Sequence, residues 1–208
     1  MVMNIPLHLR IKKESHKKIA YAQDLIVEEL YQFFPRAVFH GGTAIWRCYE
    51  GNRFSEDIDV YLPTKENIDE FFDKLLHKGF TVLKKRLKDN SLYSLLSFDR
   101  TNVRFEAVFK KVNGILKDYE TASGTIITVY TLSADQLLDE KIAACMKRGK
   151  VRDLYDIFFL LKYVKPPKNL GMIAHANIVD EDNLQTIILT GLVPTVKDMK
   201  NYIAAWGL

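Results

Sequence analysis

Cysteine is nearly missing from this chain: Cys48 and Cys145 are the only two in 208 residues. They are too few and too far apart for a disulfide framework or a cysteine-based zinc site. A reduced, cytoplasmic protein is the expectation. Long apolar runs are missing as well. Segments such as 157–161 fall far short of the ~20 residues that cross a bilayer, so no membrane partner is expected. The N-terminal MVMNIPLHLRIKKESHKK lacks a sustained apolar core followed by a small-residue cleavage site, which argues against a signal peptide. No Gly-Lys-Ser/Thr follows the glycine pair at 41–42, which disfavours P-loop ATPase chemistry. No Gly-x-Ser-x-Gly surrounds Ser55, which disfavours a serine nucleophile there. A strong excess of one charge is also absent. The formal net charge is +4, too small to decide for or against a nucleic-acid partner. Basic residues do cluster at 10–18, 84–88 and 147–152, where they can track a phosphate backbone or simply be solvated surface.

What is present concentrates in residues 39–62, FHGGTAIWRCYEGNRFSEDIDVYL. In an extended strand, residues two apart share a face, so Asp57, Asp59 and Tyr61 lie on one side and Ile58, Val60 and Leu62 on the other. Two carboxylates held side by side repel unless a cation lies between them. Hard oxygen donors of this kind suit Mg²⁺, which takes one or two carboxylates plus substrate phosphates. Residues 37–39 read as a short strand, His40-Gly41-Gly42 as a turn, and Thr43 onward as the start of a helix. Glycines that admit a close approach, followed by unpaired helix N–H groups, make a phosphate cradle. Cradle and Asp-x-Asp strand in succession are the layout expected of a nucleotidyltransferase.

Gly41-Gly42-Thr43, followed by Arg53-Phe54-Ser55-Glu56-Asp57-Ile58-Asp59, resembles the AbiEii/AbiGii-type nucleotidyltransferases of the polymerase-beta-like superfamily. Lys141 and Arg148-Gly149-Lys150-Val151-Arg152-Asp153-Leu154-Tyr155-Asp156 resemble a second block of that family. The resemblance implies an α+β fold: a polymerase-beta-like nucleotidyltransferase core, with a mixed sheet flanked by helices, and a C-terminal helical part. The expected boundaries are residues 1–131 for the core and 132–208 for the helical part completing the active site. The resemblance further implies an Mg²⁺-dependent enzyme (one or two ions) that moves a nucleoside monophosphate from a nucleoside triphosphate to a hydroxyl acceptor. RNA, tRNA in particular, is the expected acceptor. A toxin-like role in a toxin–antitoxin or phage-defence system, with a cognate antitoxin as partner, is implied too.

Within that reading Asp57 and Asp59 hold metal, and Glu106, on a strand beside the Asp-x-Asp strand, is the third ligand. Gly41, Gly42 and Thr43 hold the β- and γ-phosphates. Lys141 stabilises the departing pyrophosphate, and Arg148, Lys150 and Arg152 line the acceptor or triphosphate side. Asp153 either orients Lys141 or Arg53, or only caps the helix starting near Val151. Arg53 and Ser55 either touch phosphate or brace the loop into the acidic strand. His40 stands where the family most often has lysine, and reads as a strand-end histidine. A non-catalytic nucleotide- or partner-binding module of the same fold is the alternative.

The remaining pattern predicts an amphipathic helix over 14–34, a helix over 65–77, and strands near 80–87, 92–98, 103–109, 115–119 and 125–131. Asn113-Gly114 reads as a hairpin turn. Ser133-Ala-Asp-Gln136 reads as a capping box, opening a helix whose buried stripe is Leu138, Ile142, Cys145 and Met146. Lys141 lies off that stripe, so its removal is expected to leave stability unchanged. Arg152 and Asp156, four apart, are expected to pair along a helix surface. The acidic triplet 180–182 reads as a helix start, and 196–206 as a final helix.

Overall fold

The structure is a computed structural model that describes residues 5–165, 170–179 and 184–206; the acidic triplet at 180–182 lies outside them. The chain divides into two units. The first comprises Met1–Glu50 and Phe54–Thr131, and the second comprises Gly51–Arg53 and Leu132–Leu208. The second unit thus includes a three-residue excursion from a part of the chain that the sequence assigns to the core.

In the first unit a short α1 (Leu7–Arg10) precedes the long α2 (Glu14–Phe33). Then follow β1 (Val38–His40), α3 (Gly41–Cys48), β2 (Asp57–Leu62) and α4 (Ile68–His77). Five strands complete the unit: β3 (Thr81–Leu87), β4 (Ser91–Phe98), β5 (Thr101–Phe109), β6 (Ile115–Glu120) and β7 (Ile126–Thr131). The seven strands form one mixed sheet in the order β3-β4-β5-β2-β1-β7-β6. β2 runs parallel to β5 and β1 parallel to β7; the other pairs are antiparallel.

Strand alternation sorts the side chains into two faces. Phe39, Ile58, Val60, Leu92, Leu96, Phe105 and Ala107 are buried on one of them, where α2 and α4 pack. Phe71 of α4 meets the Phe105 ring at 5.3 Å and the Phe34 ring at 6.0 Å. Each such ring contributes about 1.5–3 kcal/mol by leaving water. α3 is tied down by Arg47, whose buried guanidinium stacks over Trp46, donates to the carbonyls of Ala20 and Glu120, and pairs with Asp24 at 3.2 Å. The opposite sheet face carries the half-buried polar residues of β2, β4 and β5.

Asn113-Gly114 does not turn a hairpin. β5 already has β4 and β2 on its two sides, so the chain after Phe109 crosses to the far edge, where β6 pairs with β7. Neither residue adopts the positive φ that a tight type I′ turn requires. That geometry falls instead at Asp99 (φ 44°) and Arg100 (φ 60°), between β4 and β5.

In the second unit α5 (Ala134–Arg148) opens on the expected capping box. The Ser133 hydroxyl accepts from the Gln136 amide, and the Gln136 side chain accepts from the Ser133 amide. It ends at Gly149 (φ 61°), where a Cβ would collide with the Asn177 carbonyl. α6 (Val151–Leu160) follows, then 3₁₀ turns at Leu161–Tyr163 and Leu170–His175, a short α7 (Leu184–Ile187), and α8 (Val196–Trp206). Cys145 is buried, and burial pushes its thiol up to about 11, consistent with packing. Met146 is exposed rather than on the buried stripe. Gly51–Arg53 is pinned within this unit by an Arg53–Ile188 bridge, an Asn52 carbonyl accepting from the Leu189 amide, and an Asn52 side chain that donates to the Thr190 carbonyl and accepts from the Thr190 hydroxyl. Among the described residues no helix is long and apolar enough to cross a membrane.

Candidate active site

The polar face of the sheet is organised in rows running across the strands. Arg86 of β3 stands opposite Tyr93 of β4, Tyr93 opposite Glu106 of β5, Glu106 opposite Asp59 of β2, and Asp59 opposite His40 of β1. Directly opposed residues have Cβ atoms about 4.5–5.5 Å apart. The row therefore places Glu106 beside Asp59, with an aromatic ring and a guanidinium beyond Glu106 and an imidazole at the other end. One step along, Asp57 stands opposite Arg104. A cavity of about 340 Å³ opens over this face, lined by His40, Asp59, Glu106 and Tyr93 and, from β3 and the residue after it, by Lys84, Arg86 and Lys88. A larger cavity of about 570 Å³ lies near Val38 and Tyr130, but no carboxylate lines it, so it does not match the expected chemistry.

The glycine turn is built against these acids. His40 precedes α3 in extended conformation, and Gly41 is left-handed (φ 68°). A Cβ on Gly41 would run into the Asp59 carboxylate, so only glycine lets the helix start lie so close to the acidic strand. Thr43 is fully buried and its hydroxyl donates to the Asp57 carbonyl; the hydroxyl fastens the turn to β2. His40 stacks on Tyr61 with ring centroids 4.1 Å apart.

Glu106 is held above the ordinary carboxylate range, first by burial and then by the negative charge of Asp59. That is the electrostatics of two acids crowded at one spot, and a cation bound there would relieve it. Asp59 and Glu106 fit the two-carboxylate share of an Mg²⁺ site whose other ligands are phosphate oxygens and water. Asp57 is oriented differently. Arg104 donates from Nε to Oδ1 (2.6 Å) and from Nη2 to Oδ2 (2.5 Å), engaging both carboxylate oxygens. Among the described residues no group of three acidic, His or Cys side chains converges as a ready-made metal cage.

Lys141, Asp153 and Asp156 of the second sequence block form a buried ion cluster in the second unit with Arg53, and the exposed Arg148 reaches it from the surface. Asp156 is 1% exposed and accepts from Arg53 Nε and Nη2, each at 2.8 Å. Lys141 Nζ lies 2.7 Å from Asp156 and 3.4 Å from Asp153. Arg148 forks onto Asp153 at 2.6 and 2.7 Å. Burial would raise the Asp156 carboxyl, but Arg53 and Lys141 outweigh it and leave it low. Asp156 therefore pairs inward with Arg53 and Lys141, not along the helix surface with Arg152, because its side of α6 faces the core. Lys141, though off the apolar stripe, is also buried.

Arg53, turned onto Asp156, braces its loop. Ser55 is buried as well, with its carbonyl accepting from Gln23 Nε2. Lys150 and Arg152 sit half-buried at the start of α6. Arg104 and Tyr93 belong to neither sequence motif, yet the structure places both on this face. Both were within reach of parity: Arg104 is two residues before Glu106 and so shares its face, and an arginine on the face of an acidic strand is a ready counter-ion.

Comparison with known proteins bears on this geometry. Residues 25–192 match the family described as nucleotidyl transferase AbiEii toxin, type IV toxin–antitoxin system. No curated protein matches the chain. Two crystal structures of Helicobacter pylori proteins share the fold. JHP933 superimposes with a TM-score of 0.65 at 18% identity, over 95% of this chain and 91% of that one. A protein provisionally called a nucleotidyltransferase superimposes with a TM-score of 0.65 at 19% identity, over 94% of each chain.

Proposed function

The chain belongs to the AbiEii nucleotidyl transferase toxin family and is a nucleotidyltransferase, and from that premise we propose that it transfers a nucleoside monophosphate from a nucleoside triphosphate to an RNA hydroxyl, using a divalent cation held by Asp59 and Glu106. The observation carrying this reading is the alignment of Asp59 and Glu106 at one register inside a cavity whose other wall bears Lys84, Arg86 and Lys88. Acids alone would suit a cation and bases alone a polyanion. Together in one groove they suit a metal–triphosphate and a phosphate-bearing acceptor.

Transfer of this kind needs an aligned attack and neutralisation of charge on the transferring phosphate. When bound, Mg²⁺ supplies that neutralisation and lowers the pKa of a coordinated hydroxyl. Asp59 and Glu106 would hold it, with Asp57 joining once released from Arg104. The amides of Gly41, Gly42 and Thr43 at the start of α3 would receive phosphate oxygens. Glu106, beside that cation, would favour deprotonation of the acceptor hydroxyl. Tyr93, in line with Glu106, offers a ring on which an acceptor base can stack. In the second unit, Lys141, Arg148, Lys150 and Arg152 remain candidates for phosphate contact and Asp153 for orienting Lys141; its bonds to Lys141 and Arg148 support that last assignment. Incubation with each labelled NTP, Mg²⁺ and total RNA tests the whole reading; no labelled RNA with any NTP overturns it.

The acceptor is tested separately. Lys84, Arg86 and Lys88 face the groove, whereas Lys85 pairs with Asp69 at 2.6 Å and lies over the Phe72 ring. Replacing Lys84, Arg86 and Lys88 together by alanine should weaken RNA binding, while the same exchange at Lys85 should not. The log–log salt slope should flatten by roughly two units, about 0.7 per lost single-strand phosphate contact. RNA affinity that ignores both salt and the triple variant would point to a protein or small-molecule acceptor. The family also supports an antitoxin partner and a toxin–antitoxin or phage-defence setting, for which co-purification with the product of an adjacent reading frame is the check.

A further inference from the structure

Asp57 and Asp59 are two residues apart on one strand face, yet they are treated differently. Asp59 stands opposite another acid, Glu106; Asp57 stands opposite Arg104, whose guanidinium forks onto both of its oxygens. The fork is the geometry in which arginine binds a carboxylate best, and a phosphate offers it the same pair of oxygens. The Arg104 side chain is 39% exposed and that of Asp57 17%. The guanidinium can therefore swing away without opening the core. It is also one row from Glu106, on the face that borders the groove.

We propose, on the basis of the nucleotidyl-transfer reading above, that Arg104 is an exchangeable counter-ion: it occupies Asp57 until a nucleotide's phosphates draw it away and a divalent cation takes its place. A guanidinium forked onto both oxygens and a divalent cation at the same carboxylate repel each other at close range, so they compete for it. Metal binding without nucleotide must displace the arginine unaided. Metal binding with nucleotide does so with the arginine re-paired on phosphate. The two ligands therefore bind cooperatively, and by linkage each strengthens the other equally. Arg104 acts here through Asp57 and as a positioning residue, keeping the acidic face neutralised while the groove is empty.

The test is calorimetric titration of the whole protein with Mn²⁺, with and without a non-hydrolysable NTP, alongside a thermal melt of each variant. Arg104→Met should bind Mn²⁺ alone more tightly, by about two- to fivefold, and nucleotide should then add less to metal affinity than in the parent. Arg104→Lys, which keeps the charge without the fork, should fall between, and it carries the test if the methionine variant does not fold. Removing a positive charge favours a cation anywhere nearby, so the double variant Asp57→Asn/Arg104→Met is decisive. Loss of the gain there supports exchange at Asp57. Persistence of the gain reduces Arg104 to a general field effect and overturns the proposal. Mn²⁺ affinity unchanged or lowered in Arg104→Met overturns it as well, with the metal reading intact. Failure of the parent and every variant to bind Mn²⁺, with or without nucleotide, overturns both.

Discussion

Asp59→Asn lowers nucleotidyl transfer by roughly 10³-fold or more while the protein stays folded. The amide keeps the shape of the side chain but removes a charge that the transferring phosphate's cation needs, and losses of this order follow when electrostatic stabilisation of a transition state is removed. The fold is spared because Asp59 and Glu106 are like charges at one register. Burial, and then Asp59, holds the Glu106 carboxyl above its usual range, so removing the Asp59 charge lowers that carboxyl part of the way and leaves the effect of burial. A group raised in the folded state loses stability as pH rises through its shifted range. In Asp59→Asn that loss shrinks, and the metal-free melt near neutral pH should be unchanged or slightly higher. A labelled-NTP transfer assay and parallel melts read both parts, and parental transfer rates in this variant sink the assignment. Asp57→Asn is not equivalent. The sequence alone suggests that either aspartate can be neutralised without cost, but Asp57 carries the Arg104 fork, so its variant should lose about 0.2–1 kcal/mol in the absence of metal.

Asp156→Ala should destabilise the second unit by about 3–5 kcal/mol, the cost of leaving buried charges without their partner. Asp156 is the point on which Arg53 and Lys141 converge. With it gone, the buried guanidinium keeps its charge and loses its fork. Acid should mimic the change. The Asp156 carboxyl is lowered in the fold, burial being outweighed by Arg53 and Lys141, so its stabilisation is complete above the ordinary aspartate value of 3.8 and is lost as pH falls below it. A denaturant titration of the variant at neutral pH, and of the parent between pH 5 and 2, measures both. A variant as stable as the parent would return Asp156 to the helix surface. Lys141→Ala belongs to the same experiment. Sequence periodicity leaves it off the apolar stripe and predicts no loss, whereas its bonds to two buried aspartates predict a clear one.

How much of this could be read from the chain follows from the range of the forces involved. The α2 stripe, the β2 alternation and the Ser133 capping box are local patterns, visible within a few residues. The pairing of Asp59 with Glu106 joins residues 47 apart in the chain on neighbouring strands, and only the family resemblance pointed to it. Arg53 with Asp156, 103 residues apart, left no local trace; helical spacing suggested Arg152 as the partner because the nearest opposite charge is the only one such spacing can see. Asn113-Gly114 failed for a related reason. Its composition is that of a tight turn, but the competition for partners in the sheet decides where the chain goes next. The glycine pair was legible as a turn ahead of a helix, but that Gly41 must clear the Asp59 carboxylate depends on strand pairing that composition does not carry.

The loan of Gly51–Arg53 to the second unit bears on how such a protein can be inherited. A chain cut after Thr131 would yield two pieces, neither whole. The first would keep Arg53 without Asp156, and the second would keep Asp156 without the arginine made a hundred residues earlier. Recombination that swapped the C-terminal part between relatives would have to bring along a matching three-residue stretch from the middle of the other part. The two sequence blocks are therefore bound to drift together, and a hybrid assembled at the apparent boundary should fail unless residues 51–53 travel with their helices.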